Sequence, residues 1–179
     1  MGCEWCGYDD GFGVKNGKEK RQMKTYVITE KDLDKDNYYI GKTDLSDFDG
    51  NIEACENLGT VKFIRGVFAK GYISLKAGSG IEAGSGIEAG DGIRAGWGIK
   101  AGFDILCKKT LYSGLRIFAG LCIYREPSEG EMKIVCGKLE GGEICYGTLV
   151  ETGIEKNKRV TLDLTEEQLE KVKQLLGGE

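Results

Sequence analysis

The sequence predicts an all-β protein, specifically a β-solenoid of six-residue repeats. Isoleucine recurs at every sixth position from Ile81 to Ile99, and alanine stands two places after each of these isoleucines. Gly-x-Gly completes the hexads that begin at Ile81, Ile87 and Ile93. Two glycines in six residues would cost a helix about 2 kcal/mol per hexad relative to alanine, so a helical interpretation is excluded. A constant aliphatic phase also argues against a disordered glycine-rich segment.

Each hexad is interpreted as a short strand and a corner. The order aliphatic, charged, alanine gives an in-out-in strand of three residues, and Gly-x-Gly supplies a corner because glycine adopts backbone angles that other residues avoid. Stacked coils would bury the aliphatic residues in columns. We therefore expect four inward and four outward side chains, namely Ile81, Ile87, Ile93 and Ile99 against Glu82, Glu88, Arg94 and Lys100.

The aliphatic phase extends beyond the clearest hexads. It continues to Ile123 and returns upstream, in weaker form, at Ile52, Leu58 and Ile64. We assign the solenoid to residues 52–125. With three hexads per coil, the 72 residues from Ile52 to Ile123 make 72/18 = 4 coils, about 19 Å tall at the usual strand spacing.

The flanking segments are predicted to cap the solenoid, because open sheet edges need cover. Residues 1–22 are expected to form a poorly ordered tail with a C-x-x-C pair, and residues 23–51 an N-terminal cap. Residues 126–179 are expected to form a C-terminal cap with a β-hairpin, whose strands Lys133–Leu139 and Glu143–Val150 join at 140–142. A short α-helix follows the capping box that begins at Thr165, with apolar residues at helical spacing: Leu169, Val172, Leu175 and Leu176.

The hexads resemble a known family. Ile81-Glu82 with Ser85, and Ile87-Glu88, are similar to the hexapeptide-repeat proteins that fold as left-handed β-helices. The pattern Gly-Ile-x-Ala-Gly resembles glycine-rich repeats in proteins of phages and mobile elements of gut Firmicutes, from about Met23 to Val150. Trp97 and Phe103 depart from the family pattern, which has a small residue there. Handedness and coil size stay open.

The resemblance implies acyl transfer as one function, but the residues argue against it. The usual acyltransferase mechanism of the family needs a histidine base, and the chain has no histidine. A transferase with an unrecognised base is therefore the least favoured alternative, and we expect no enzyme and no cofactor. Cys3 and Cys6 lack a second C-x-x-C, so no metal site is expected. No apolar run of about 18 residues and no signal peptide is visible, so we expect a cytoplasmic protein that binds no membrane.

Surface recognition is the remaining class. Trp97 and Phe103 break a series of small residues at one repeat phase, so we expect them side by side along an edge of the solenoid. Arg94 and Lys100 would flank the rings and complete a partner-binding edge. The structural alternative, that the rings pack against a cap, stays open.

Charge adds a second candidate surface. Residues 30–56 carry net charge −6 and residues 58–125 carry +6. The acidic segment could enter a basic channel of a partner through five carboxylates: Asp44, Asp47, Asp49, Glu53 and Glu56. The phage-like resemblance implies a host defence protein as partner, and an inhibitor of a CRISPR-type nuclease is the hypothesis. The alternative is nucleic-acid binding through the basic solenoid. The oligomeric state stays open.

Overall fold

The computed structural model describes residues 23–153, which form a strand-rich, solenoid-like fold. The C-x-x-C pair at Cys3 and the predicted C-terminal helix both lie outside the described residues. Within them, every pairing between named strands is parallel. The helical elements of this part are two 3₁₀ turns, Glu30–Asp32 and Glu129–Met132.

The strands follow one another at short intervals. In chain order they are β1 Lys24–Ile28, β2 Gly50–Ala54, β3 Gly59–Phe63, β4 Val67–Ala69, β5 Ile73–Leu75, β6 Ser79–Ala83, β7 Ile87–Ala89, β8 Ile93–Ala95, β9 Ile99–Ala101, β10 Ile105–Cys107, β11 Thr110–Phe118, β12 Lys133–Cys136, β13 Lys138–Tyr146 and β14 Thr148–Glu151.

The pairings sort these strands into three faces. Face 1 is β1-β2-β5-β8 and the first half of β11. Face 2 is β3-β6-β9 and the second half of β11. Face 3 is β4-β7-β10-β12-β14. β13 pairs with β11 along both of its halves, so it continues faces 1 and 2.

Aliphatic side chains stack in one inward column per face. Ile81 pairs with Ile99 and Ile93 with Leu111, a step of 18 residues, whereas Ile73 pairs with Ile93 after 20. The predicted inward isoleucines are all buried, and their charged neighbours are half-buried or exposed. That orientation is therefore confirmed.

Two predicted core positions are wrong. Ile64 and Ile123, which were expected to point inward, are 74% and 86% exposed. Val61 and Val67 hold the inward positions around Ile64, because the coil there is longer than 18 residues and Ile64 falls on its corner. Ile123 lies in a 14-residue insertion, 119–132, which separates β11 from β12.

The parallel strands also continue on both sides of residues 52–125. β1 pairs with β2 before this range, and β12, β13 and β14 follow it. The predicted C-terminal β-hairpin is therefore wrong. A chain that passes once around per coil returns to each face in the same direction, so Ile134 comes to lie beside Ile105 and Ile144 beside Ile117. Residues 140–142 form an irregularity within β13 rather than a turn.

The corner glycines are required by coil stacking. None of the four corner glycines has a positive φ, namely Gly84, Gly90, Gly96 and Gly102. The expectation that glycine is needed there for backbone angles that other residues avoid is therefore wrong. A Cβ at any of these four would overlap backbone of the preceding coil, closer than the 3.0 Å that real Cβ atoms respect. The second glycines are also close to the next coil, where a Cβ at Gly86 or Gly92 would approach a neighbouring oxygen to 2.5 or 2.8 Å. Gly98 has more room, because its Cβ would lie 3.1 Å from the carbonyl oxygen of Arg116.

Aromatic side chains close the first coil. The Tyr26 ring meets Tyr39 and Phe48 edge-on at 6.2 Å, and Tyr39 packs on Phe63 at 5.4 Å. Tyr38 and Phe48 reach faces 2 and 3 through single bridges to Lys62 and Ala69. The segment predicted as an N-terminal cap thus combines a first coil with a cover over it.

Candidate binding groove

Face 2 carries a groove between two loops. Its floor contains outward side chains of three adjacent strands, Lys62 of β3, Glu82 of β6 and Lys100 of β9. One wall is the segment 34–40 of the first coil, and the other is the segment 121–124 of the insertion. The cavity between them has a volume of about 460 Å³.

The first wall is held by a turn built on one carboxylate. Asp34 accepts hydrogen bonds from the backbone N–H groups of Asp36 at 2.9 Å and Tyr38 at 2.8 Å. Asn37 takes a positive φ of 64°, which asparagine tolerates better than most residues, and its amide donates to the carbonyl of Leu58. The wall is therefore fixed to the solenoid at Asn37, and Tyr39 adds a backbone hydrogen bond to the Lys62 carbonyl oxygen.

The second wall is held by an arginine. The Arg125 guanidinium binds the Glu131 carboxylate through both terminal nitrogens. This contact, with the hydrogen bonds from Ser128, lowers the pKa of Glu131 to about 2. Arg125 also stands 4.6 Å from the centre of the Phe103 ring. Phe103 therefore contacts the insertion through Arg125.

Apolar side chains line both walls of the groove and face solvent. Ile123 and Tyr124 are more than 80% exposed, and three others are 39% to 74% exposed. The full set is Tyr38, Ile40, Ile64, Ile123 and Tyr124. Exposed apolar side chains gathered around one groove are typical of association sites.

The groove floor carries two lysines and one glutamate. Lys100 forms an ion pair with Glu82 at 2.9 Å, and Lys62 stands 5.3 Å from the centre of the Tyr38 ring. A second depression, of about 730 Å³, shares Glu82 and Lys100 and is bordered by Leu115 and Phe118. The two depressions flank one row of outward side chains on face 2.

The two aromatics predicted from the sequence do not lie together. Trp97 stands at the corner before β9 and Phe103 at the corner after it, so a strand separates them, about 20 Å of extended chain. The expectation that at least one ring is exposed is confirmed by Trp97, at 45%. Arg94 and Lys100 do not frame the rings: Arg94 stacks on Tyr112, and Lys100 contacts Glu82.

The predicted acidic residues are spread over several places. Asp44, Asp47 and Asp49 lie in the loop that precedes β2, where Asp49 forms an ion pair with Lys70 at 3.2 Å. Glu53 faces outward on face 1 and accepts the Tyr72 hydroxyl at 2.6 Å, and Glu56 lies in the corner after β2. The three aspartates thus share one loop, whereas the two glutamates lie outside it.

The basic side chains of residues 58–125 are largely occupied within the protein. Five of the ten form ion pairs with carboxylates, and two more stand over aromatic rings. The paired ones are Lys70, Lys100, Lys109, Arg116 and Arg125. A surface of free cations suited to phosphates is therefore reduced to a minority of these residues.

Residues 23–153 hold no group of three or more histidine, cysteine, aspartate or glutamate side chains arranged to bind a metal ion. Over the same range, no helix is long and apolar enough to cross a membrane. Five cysteines lie within the described residues, and two of them, Cys107 and Cys136, are buried.

Comparison with known proteins returned no matching family profile, no similar curated protein and no similar solved structure. The groove was missed in the sequence because its walls lie more than 80 residues apart along the chain. The one signal that could have indicated it was Ile123-Tyr124, an apolar pair within a segment rich in charge and glycine.

Proposed function

We propose that this chain is a non-enzymatic, protein-binding β-solenoid of six-residue repeats, encoded by a phage or mobile element. Its target would be a host defence nuclease of the CRISPR type, inhibited by occupation of its surface. The groove on face 2 would be the contact surface. The observation that carries the proposal is the collection of five exposed apolar side chains around one groove.

The groove presents aromatic side chains of the kind that is enriched at protein interfaces, together with aliphatic ones. These anchors stand at its rim, and its floor holds Lys62 and the Lys100–Glu82 ion pair. Binding would bury the anchors, and the Lys100 and Glu82 charges on the floor already pair with each other. The scarcity of free cations favours a protein partner over nucleic acid, and the absence of histidine argues against acyl transfer.

A nuclease inhibition assay tests the proposal. Purified protein is titrated against guide-loaded CRISPR-type nucleases, and target cleavage is measured. Tyr124→Ala should weaken inhibition of the susceptible nuclease tenfold or more, since loss of an anchor ring at an interface typically costs about 2 kcal/mol. Its melting temperature should hardly change, because the side chain is 81% exposed.

Trp97→Ala is the matched control, because Trp97 is an exposed ring at a corner outside the groove lining. If Trp97→Ala abolishes inhibition and Tyr124→Ala does not, the partner binds the corner and the groove assignment is wrong. If no nuclease is inhibited, but the protein binds DNA with a steep salt dependence, the nucleic-acid alternative replaces the proposal.

A further inference from the structure

The two ends of the solenoid differ in how far their inward side chains are covered. At the first end, the rings of Tyr26, Tyr39 and Phe48 pack against the buried core, which includes Ile28 and Leu45. At the last coil, the inward positions of β13 and β14 are left uncovered by the described residues. Leu149 is 36% exposed, although Ile134, the residue that it pairs with one coil earlier, is completely buried.

The backbone at this end is open as well. Among the described residues, β13 pairs only with β11 and β14 only with β12. No further strand among the described residues therefore pairs with their outer edges, although the Leu139 N–H donates to the Glu151 carboxylate. The side chains of Tyr146 and Val150 are exposed at this end. Solenoid ends of this kind need a cover, because an open edge invites pairing with other chains.

We propose that residues 154–179 of the same chain cover this end. The chain reaches Gly153 only two residues after β14, so this segment starts at the surface in question. It contains 26 residues, and Leu169, Val172 and Leu176 recur at the spacing of a helix face behind a capping box at Thr165.

The dimensions and chemistry agree. Eight helical residues from Leu169 to Leu176 would span about 12 Å, comparable to a strand of three or four residues. Their apolar stripe would pack on the partly buried residues Leu139 and Ile144 and on Leu149. The charged residues between the apolar ones would stay in water.

Full-length variants test this cover. Val172→Asp places a charge on the apolar stripe, and Gln174→Asp, about 200° away around a helix, is the matched control. Backbone hydrogen exchange is followed in β13 and β14, with β6 to β9 as an internal reference for folding. We expect Val172→Asp to accelerate exchange in β13 and β14 at least tenfold while β6 to β9 keep their protection. Gln174→Asp should leave both regions unchanged.

Two results would overturn the inference. If β13 and β14 exchange equally fast in the unaltered protein and in both variants, residues 154–179 do not cover the end. If light scattering shows a dimer that Leu149→Asp dissociates and Val172→Asp does not, a second copy of the chain covers the end instead.

Discussion

Replacing Gly102 with alanine should destabilise the protein far more than the same change at Gly98. A Cβ at Gly102 overlaps the carbonyl oxygen of Gly84 in the preceding coil, whereas a Cβ at Gly98 lies 3.1 Å from its nearest neighbour, the Arg116 carbonyl oxygen. Relief of the overlap would separate two coils by roughly 1 Å against an ordinary spacing of about 4.8 Å. Forced overpacking of this kind costs about 1–3 kcal/mol, whereas Gly98→Ala should change stability by less than about 1 kcal/mol.

Urea unfolding followed by circular dichroism measures this difference. With a slope of about 2 kcal/mol per M, the Gly102→Ala midpoint should fall by about 0.5–1.5 M relative to the unaltered protein. Equal slopes for the three proteins are required for the comparison. Equal midpoints for the two variants would refute the reasoning. Gly102 would then tolerate a Cβ as well as Gly98 does, and coil stacking could not be what requires glycine at position 102.

Three further results are expected. Burial raises the pKa of the Glu88 carboxyl, so the ionised form of this group disfavours folding. Glu88→Gln should therefore raise the melting temperature at pH 7, with a smaller gain at pH 4, where the carboxyl is more protonated. An equal gain at both pH values would contradict this. Burial raises the pKa of Cys107 to about 12, so iodoacetamide at pH 7.5 should label the exposed Cys145 and leave Cys107 unlabelled until the protein unfolds, as mass spectrometry would show. Ile99→Ala should cost about 2–5 kcal/mol in chemical unfolding, whereas Lys100→Ala should cost less than about 1 kcal/mol because its ion pair is exposed.

The regular part of the fold was predictable because its period is explicit in the sequence. From Ile87 to Ile105 each strand begins six residues after the last, and the inward column follows directly. Outside that range the coils change length, so a fixed phase placed Ile64 and Ile123 in the core although both face solvent. The hairpin was predicted from local turn residues, whereas burial of Ile134 beside Ile105 determines the actual pairing.

The candidate site was less predictable, because it depends on which coils become neighbours. Trp97 and Phe103 are six residues apart in the sequence, yet they occupy different corners. Tyr38 and Tyr124 are 86 positions apart and line one groove. Such proximity follows from the stacking order of the coils, which a single sequence does not reveal where the hexads fade.

The insertion at 119–132 has a consequence for how such a protein diversifies. Ile105 and Ile134 remain paired although 29 positions separate them, against 18 for Ile87 and Ile105. This corner therefore accepts additional sequence without a change in the strand register on either side. Its loop can therefore be lengthened, shortened or exchanged, by selection or by grafting in the laboratory, while the strands on either side keep their register.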